Sequence, residues 1–90
     1  MCHETMTFTE LENAMIAKGI RPEMLAINET PVDCQYCIQC DGETTEVFRF
    51  ERGIKGYLVT FRDTSAAMEH FQAMVLADQS AYVHWDRHIR

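Results

Sequence analysis

Basic side chains are scarce in this chain: eight lysines and arginines stand against fourteen aspartates and glutamates, a formal charge of −6. Neutralising a phosphate backbone takes clustered Lys and Arg, so direct nucleic-acid binding is not expected. Long apolar runs are missing too, and none approaches the ~20 residues that span a bilayer. The opening MCHETMTF has no basic segment leading into an apolar one, so it does not read as a secretory signal. These absences predict a cytoplasmic protein with reduced thiols and no membrane association. A start at Met1 is expected of a complete small protein, with Met6 a second candidate start. Only two prolines and four glycines interrupt ninety residues, and no repeat, linker or low-complexity segment stands out. The expectation is one domain over residues 1–90, with 47% hydrophobic residues to build its core.

Catalytic signatures are absent as well. The chain has no nucleophile elbow, no glycine-rich phosphate loop and no motif that pairs two carboxylates for acid–base work. A set of Cys37, His84 and Asp86 can be drawn, but no motif supports it. The chain is therefore expected not to be an enzyme and to need no cofactor.

What is present begins with a well-signalled helix. Thr7 to Glu10 and Thr9 to Glu12 both fit a capping box, in which hydroxyl and carboxylate satisfy orphan amides. Phe8, Leu11, Met15 and Ile16 follow on one helical face, and Gly19 offers a left-handed stop. Pro22 suits the first turn of a second, short helix, PEMLAIN, closing near Asn28. Its acids Glu23 and Glu29 argue against reading this helix pair as a DNA-binding element.

From Val32 the period changes to two. Val32, Cys34, Tyr36, Ile38 and Cys40 alternate with Asp33, Gln35, Cys37, Gln39 and Asp41, the pattern of a half-buried strand. Asp41-Gly42 signals a turn into a second strand, TTEVFRF. A three-residue loop, Asp41 to Glu43, would oppose Tyr36 to Phe48 and Cys34 to Phe50, gathering the aromatics on one face. Tyr57, Val59 and Phe61 mark a third strand, and Asp63-Thr64 caps a helix over SAAMEHFQAMVLA. The tail AYVHWDRHI reads as a fourth strand or a helical continuation.

The predicted class is α+β: two N-terminal helices, a three-stranded antiparallel sheet, one packing helix and a possible fourth C-terminal strand. The expected core is Phe8, Leu11, Met15, Val32, Tyr36, Ile38, Phe48, Phe50, Tyr57, Val59, Phe61, Met68, Phe71 and Val75. The α-β-β-β-α order resembles that of double-stranded-RNA-binding domains. Asp63-Thr64-Ser65 replaces that family's basic helix start, so the resemblance implies topology and no function.

Three of the four cysteines fall in DCQYCIQC. Zinc would need Cys34, Cys37 and Cys40 to converge with a fourth ligand within ~2.3 Å of the ion, in a looped backbone. A strand instead sets Cys34 and Cys40 ~20 Å apart at ~3.3 Å per residue and turns Cys37 to the other face. No loop former lies between these cysteines, so the strand is preferred. Cys34 and Cys40 then become core residues and Cys37 an accessible thiol.

The acids are unevenly placed. Nine lie between Glu10 and Glu51 against three bases, while the rest of the chain balances. A compact acidic protein without catalytic motifs fits an inhibitor, of the toxin-immunity or anti-defence type, that blocks a partner with a basic or nucleic-acid-binding surface. The candidate contact residues are Glu10, Glu12, Glu23, Glu29, Asp41, Glu43 and Glu46. A homodimer through the outer sheet face, where Val47 and Leu58 sit among polar residues, is a second use of the surface. The alternative is a small zinc-binding domain organised by Cys34, Cys37 and Cys40. A third reading makes Cys37 a reactive enzyme thiol.

Overall fold

The computed structural model describes residues 7–83. It is an α+β fold with a four-stranded mixed sheet and two helices. In chain order it runs α1 (Phe8–Ala17), a 3-10 turn (Pro22–Met24), β1 (Leu25–Ile27), β2 (Gln35–Asp41), β3 (Thr44–Glu51), β4 (Ile54–Phe61), α2 (Thr64–Leu76) and a second 3-10 turn (Gln79–Ala81). Strand order is β1-β2-β3-β4, with β1 parallel to β2 and the others antiparallel. No helix among the described residues is long and apolar enough to cross a membrane.

Local chemistry explains the helices. Thr7 Oγ1 accepts from Glu10 N while Glu10 Oε1 accepts from Thr7 N, the reciprocal capping box expected at α1. Gly19, at φ 97°, supplies the left-handed exit. Asp63 caps α2 by accepting from Ser65 N. Leu11 and Met15 from α1 and Ala67, Met68, Phe71 and Val75 from α2 close over Tyr36, Ile38 and Val47 on one sheet face.

The expected second helix is not formed. Its first turn is the 3-10 turn Pro22–Met24, and Leu25–Ile27 then pairs in parallel with Tyr36–Ile38. So short a segment has little helical stability of its own, and pairing with β2 outweighs it. The sheet is therefore four-stranded and mixed rather than three-stranded and antiparallel.

The expected hairpin register is also corrected. Asp41 pairs with Thr44 around a two-residue turn, Gly42-Glu43, with Gly42 at φ 65°. Ile38 thus opposes Val47, Cys37 opposes Phe48 and Tyr36 opposes Arg49. Val47 and Arg49 belong to the helix-covered face, not to the outer one, and Phe48 and Phe50 lie on the outer face. Burial of Phe48 on the outer face removes the cost that should have forbidden this register, and residues 28–34, the crossover between the parallel strands, bond to Gln35 and Gln39 on that face.

That crossover is a strap over the outer face. Gln39 Nε2 donates to Glu29 O at 3.1 Å, and Gln35 Oε1 accepts from Val32 N at 2.8 Å. Asn28 and Cys34, at φ 56° and 62°, reverse the chain at its two ends. Asp33 Oδ1 accepts from Arg52 N at 2.6 Å and ties the strap to the β3–β4 turn. On the same face Ala26, Cys37 and Phe48 form a second buried cluster, flanked by Phe50, with Lys55 Nζ 4.9 Å from the centre of the Phe48 ring.

The expected burial of the cysteines is inverted, although β2 keeps the faces expected of it, because the outer face is covered at Cys37. Cys37 is fully buried, whereas Cys34 and Cys40 are exposed. Three residues expected in the core are outside it: Val32 is 64% exposed, Tyr57 81% and Val59 38%. At the C-terminus, Gln79–Ala81 form a 3-10 turn and Tyr82 makes an isolated antiparallel bridge to Ile20, so the strand or helix proposed for the tail does not start there. The remainder of that proposed element, from residue 84, lies outside the described residues.

Candidate binding site

α2 rests on β2 and β3, and β4 forms the edge of the sheet beyond it. β4 therefore carries apolar side chains that nothing among the described residues covers. Ile54 is 68% exposed and Leu58 47%, beside the exposed Tyr57 and Val59. The strand is also irregular. Val47 faces Val59 and Arg49 faces Gly56, so Tyr57 and Leu58 together oppose Phe48, a β-bulge with Tyr57 at φ 56°.

Between β4 and α2 runs a groove of about 550 Å³. Tyr57, Leu58 and Val59 form one wall and His70 and Met74 the other, with Tyr36, Arg49, Glu51 and Asp78 completing the lining. The Arg49 guanidinium carbon stands 4.5 Å from the centre of the Tyr36 ring, a cation–π stack. Arg49 Nη1 is buried without a hydrogen-bond partner, and Nε lies 3.9 Å from Glu51 Oε1. The His70 ring sits 5.3 Å from that of Phe61.

Tyr36 and Asp78 tie the end of the groove together. Tyr36 Oη donates to Asp78 Oδ2 at 2.5 Å, while Asp78 Oδ1 accepts from Ser80 N and Oγ at 2.9 and 2.7 Å. Burial, together with the bond to Asp78, pushes the Tyr36 phenol up to about 12. Burial also raises Asp78, but the hydrogen bonds from Tyr36 and Ser80 outweigh it and hold the carboxyl below its ordinary value. At neutral pH the pair is thus a neutral donor and a charged acceptor already bonded to each other. Such a groove offers apolar surface, an aromatic ring and one stacked cation, the make-up of a docking surface.

The predicted acidic residues are only partly brought together. Glu29, Asp41 and Glu46 border one polar concavity of about 410 Å³ with Asn28, Thr30, Gln39, Cys40 and Lys55. Within it Glu46 Oε1 lies 3.2 Å from Lys55 Nζ. Glu10 is engaged in the cap of α1, Glu12 lies on the same helix, Glu23 is in the first 3-10 turn and Glu43 is in the β2–β3 turn. These four do not line that concavity.

The cysteines do not converge. β2 turns Cys37 and Cys40 to opposite faces, and Cys34 precedes the strand. Among the described residues no group of three or more His, Cys, Asp or Glu side chains is placed to hold a metal. Burial pushes the Cys37 thiol up to about 11, the reverse of what a reactive thiol needs. His84 and Asp86, drawn with it as a catalytic set, lie outside the described residues.

Strict alternation places Val47, and with it Arg49, on the outer face and Tyr57 and Val59 in the core, an arrangement that hides the groove. One available signal was the run Tyr57-Leu58-Val59, three consecutive apolar residues that strict alternation cannot place on one face. Comparison with family models, curated proteins and solved structures finds no match, so geometry carries the functional reading.

Proposed function

We propose that this chain is a non-catalytic protein-binding module, an inhibitor in its mode of action, that docks on a partner through the β4 edge and the adjoining groove. The supporting observation is the exposed apolar row Ile54, Tyr57, Leu58 and Val59 on β4, the edge strand among the described residues, beside a groove of about 550 Å³. A long apolar edge invites strand addition, and a protein that carries one uncovered either pairs it or aggregates. The absence of a catalytic motif and the reduced thiols expected of the sequence fit a cytoplasmic blocking protein.

A second reading keeps the basic partner expected from the acidic first half. It is favoured by the concavity shared by Glu29, Asp41 and Glu46. The two readings place the partner at different positions. A photo-crosslinking residue at Tyr57 should yield a partner adduct in cells, with none from Asp41 or, as a control, Glu12. Adducts from Asp41 and not from Tyr57 would move the docking site to the acidic concavity. Silence at both would contradict the binding-module reading.

A further inference from the structure

We propose that the β4 edge takes an extended acidic segment of the partner, added as a fifth strand, with one of its apolar side chains in the groove. This deepens the docking proposal above and rests on it. Among the described residues β4 has a neighbour on one side only, so alternate backbone N–H and C=O groups along its other side have no strand there to bond. The opposite edge of the sheet, β1, is only three residues long and offers no comparable ladder. Strand addition along β4 would satisfy the unpaired groups, and the groove beside them would select a side chain.

Charge indicates which segment fits. In a chain of formal charge −6, the stretch Arg52 to Arg62 holds three bases, Arg52, Lys55 and Arg62, and no acid. All three side chains belong to exposed residues, one in the turn before β4, one on it and one just after it. Bases and a bulge on an edge strand are the devices that reject a like copy. Antiparallel self-pairing about Leu58 would set Ile54 beside Arg62 and Lys55 beside Phe61. Each end would then collect Arg52 and Lys55 of one copy and Arg62 of the other, between two chains that already repel. An acidic strand meets the opposite situation: its carboxylates find Arg52 and Lys55 at one end, Lys55 shared with Glu46, and Arg62 at the other, while its apolar residues lie against Tyr57, Leu58 and Val59. Arg49 and Tyr36 give the groove floor a stacked cation and ring.

The test uses two short blocked peptides, one alternating glutamate with valine and tyrosine, the other with lysine in place of each glutamate. Binding is followed by amide shifts and hydrogen exchange of the labelled protein, at low and high salt. The acidic peptide should bind about tenfold more tightly, as three exposed ion pairs together supply, and should slow exchange along β4. Raising the salt should shrink the difference. The R52E/K55E/R62E variant should reverse the preference. The R52Q/K55Q/R62Q variant should abolish it, which keeps the test valid if charge reversal disturbs folding. Equal binding of both peptides, tighter binding of the lysine peptide, or binding of neither would overturn the proposal. So would protection of β4 that grows with protein concentration and needs no peptide, which would assign the edge to a second copy. If Tyr57 crosslinks a partner while the acidic peptide fails, the docking region stands and only the acidic strand is rejected. If both fail, both readings fall.

Discussion

Replacing Gln35, the first residue of β2, by alanine should cost this fold more than removing any other polar side chain that holds the strap. Gln35 is almost fully buried and makes three bonds: Oε1 accepts from Val32 N at 2.8 Å, and Nε2 donates to Glu23 O at 3.1 Å and Leu25 O at 3.3 Å. One residue thus fastens the end of the strap, the first 3-10 turn and β1 to β2. Two of these bonds are partly buried and contribute roughly 0.5–1 kcal/mol each, while the Leu25 carbonyl would be left buried without a partner at about 1–3 kcal/mol. The sum, roughly 2–5 kcal/mol, predicts a Tm lower by roughly 10–25 °C in a domain of this size. Gln39→Ala removes a single exposed bond to Glu29 O and should cost only about 0.5 kcal/mol. Gln35→Glu keeps the acceptor for Val32 but sets a carboxylate against two carbonyls, so at neutral pH it should be at least as damaging as alanine. Urea unfolding followed by far-UV circular dichroism measures all three, with an unchanged m-value required for the comparison. A Gln35→Ala protein within 0.5 kcal/mol of the parent, or no less stable than Gln39→Ala, would refute the strap as the device that closes the outer face.

Three further outcomes follow from the same geometry. The neutral Tyr36 phenol donates to Asp78, and its ionisation is raised to about 12. Its contribution should therefore be complete below the ordinary tyrosine value of about 10 and be lost as pH climbs from there towards 12, a limb that Tyr36→Phe should flatten. The lowered Asp78 works in the other direction, stabilising above the ordinary carboxylate range and failing as pH falls through its depressed value, so pH-dependent unfolding should show an acid limb weakened by Asp78→Asn. With Cys2 replaced by serine, a thiol reagent should modify Cys34 and Cys40 in the native protein and reach Cys37 only on unfolding; rapid native modification of Cys37 would show that the strap does not seal its face. Leu58→Lys should leave stability within about 0.5 kcal/mol, because the side chain is half exposed, yet abolish the Tyr57 crosslink.

The parts of this fold legible in the sequence are those decided locally. Thr7 with Glu10, Gly19 and Asp63 announce the bounds of α1 and α2 because caps and left-handed stops act within a few residues. Alternation likewise announces β2 and β3. It does not set their register, because Phe48 is fully buried on the outer face, beside Ala26 and Cys37 and with Lys55 Nζ 4.9 Å from its ring centre, as it would be under the helices. The strap itself could not be foreseen: PEMLAIN reads as a helix until Leu25–Ile27 pairs with a strand ten residues further on, a non-local event. The same misreading concealed the groove, since Arg49 and Val47 change faces with a one-residue slip. Of the acids chosen from composition, only Glu29, Asp41 and Glu46 come together, because a net charge describes the chain and not the surface on which each residue falls.

The most direct test of docking at the β4 edge is amide hydrogen exchange of the protein alone and bound to its partner. Alone, alternate amides of β4 should exchange far faster than those of β2 and β3, which are bonded on both sides. In the complex those same amides, with Tyr57 to Val59 at the centre, should become protected. Protection confined to the residues around Glu29, Asp41 and Glu46, with β4 still exchanging as in the free protein, would contradict the account.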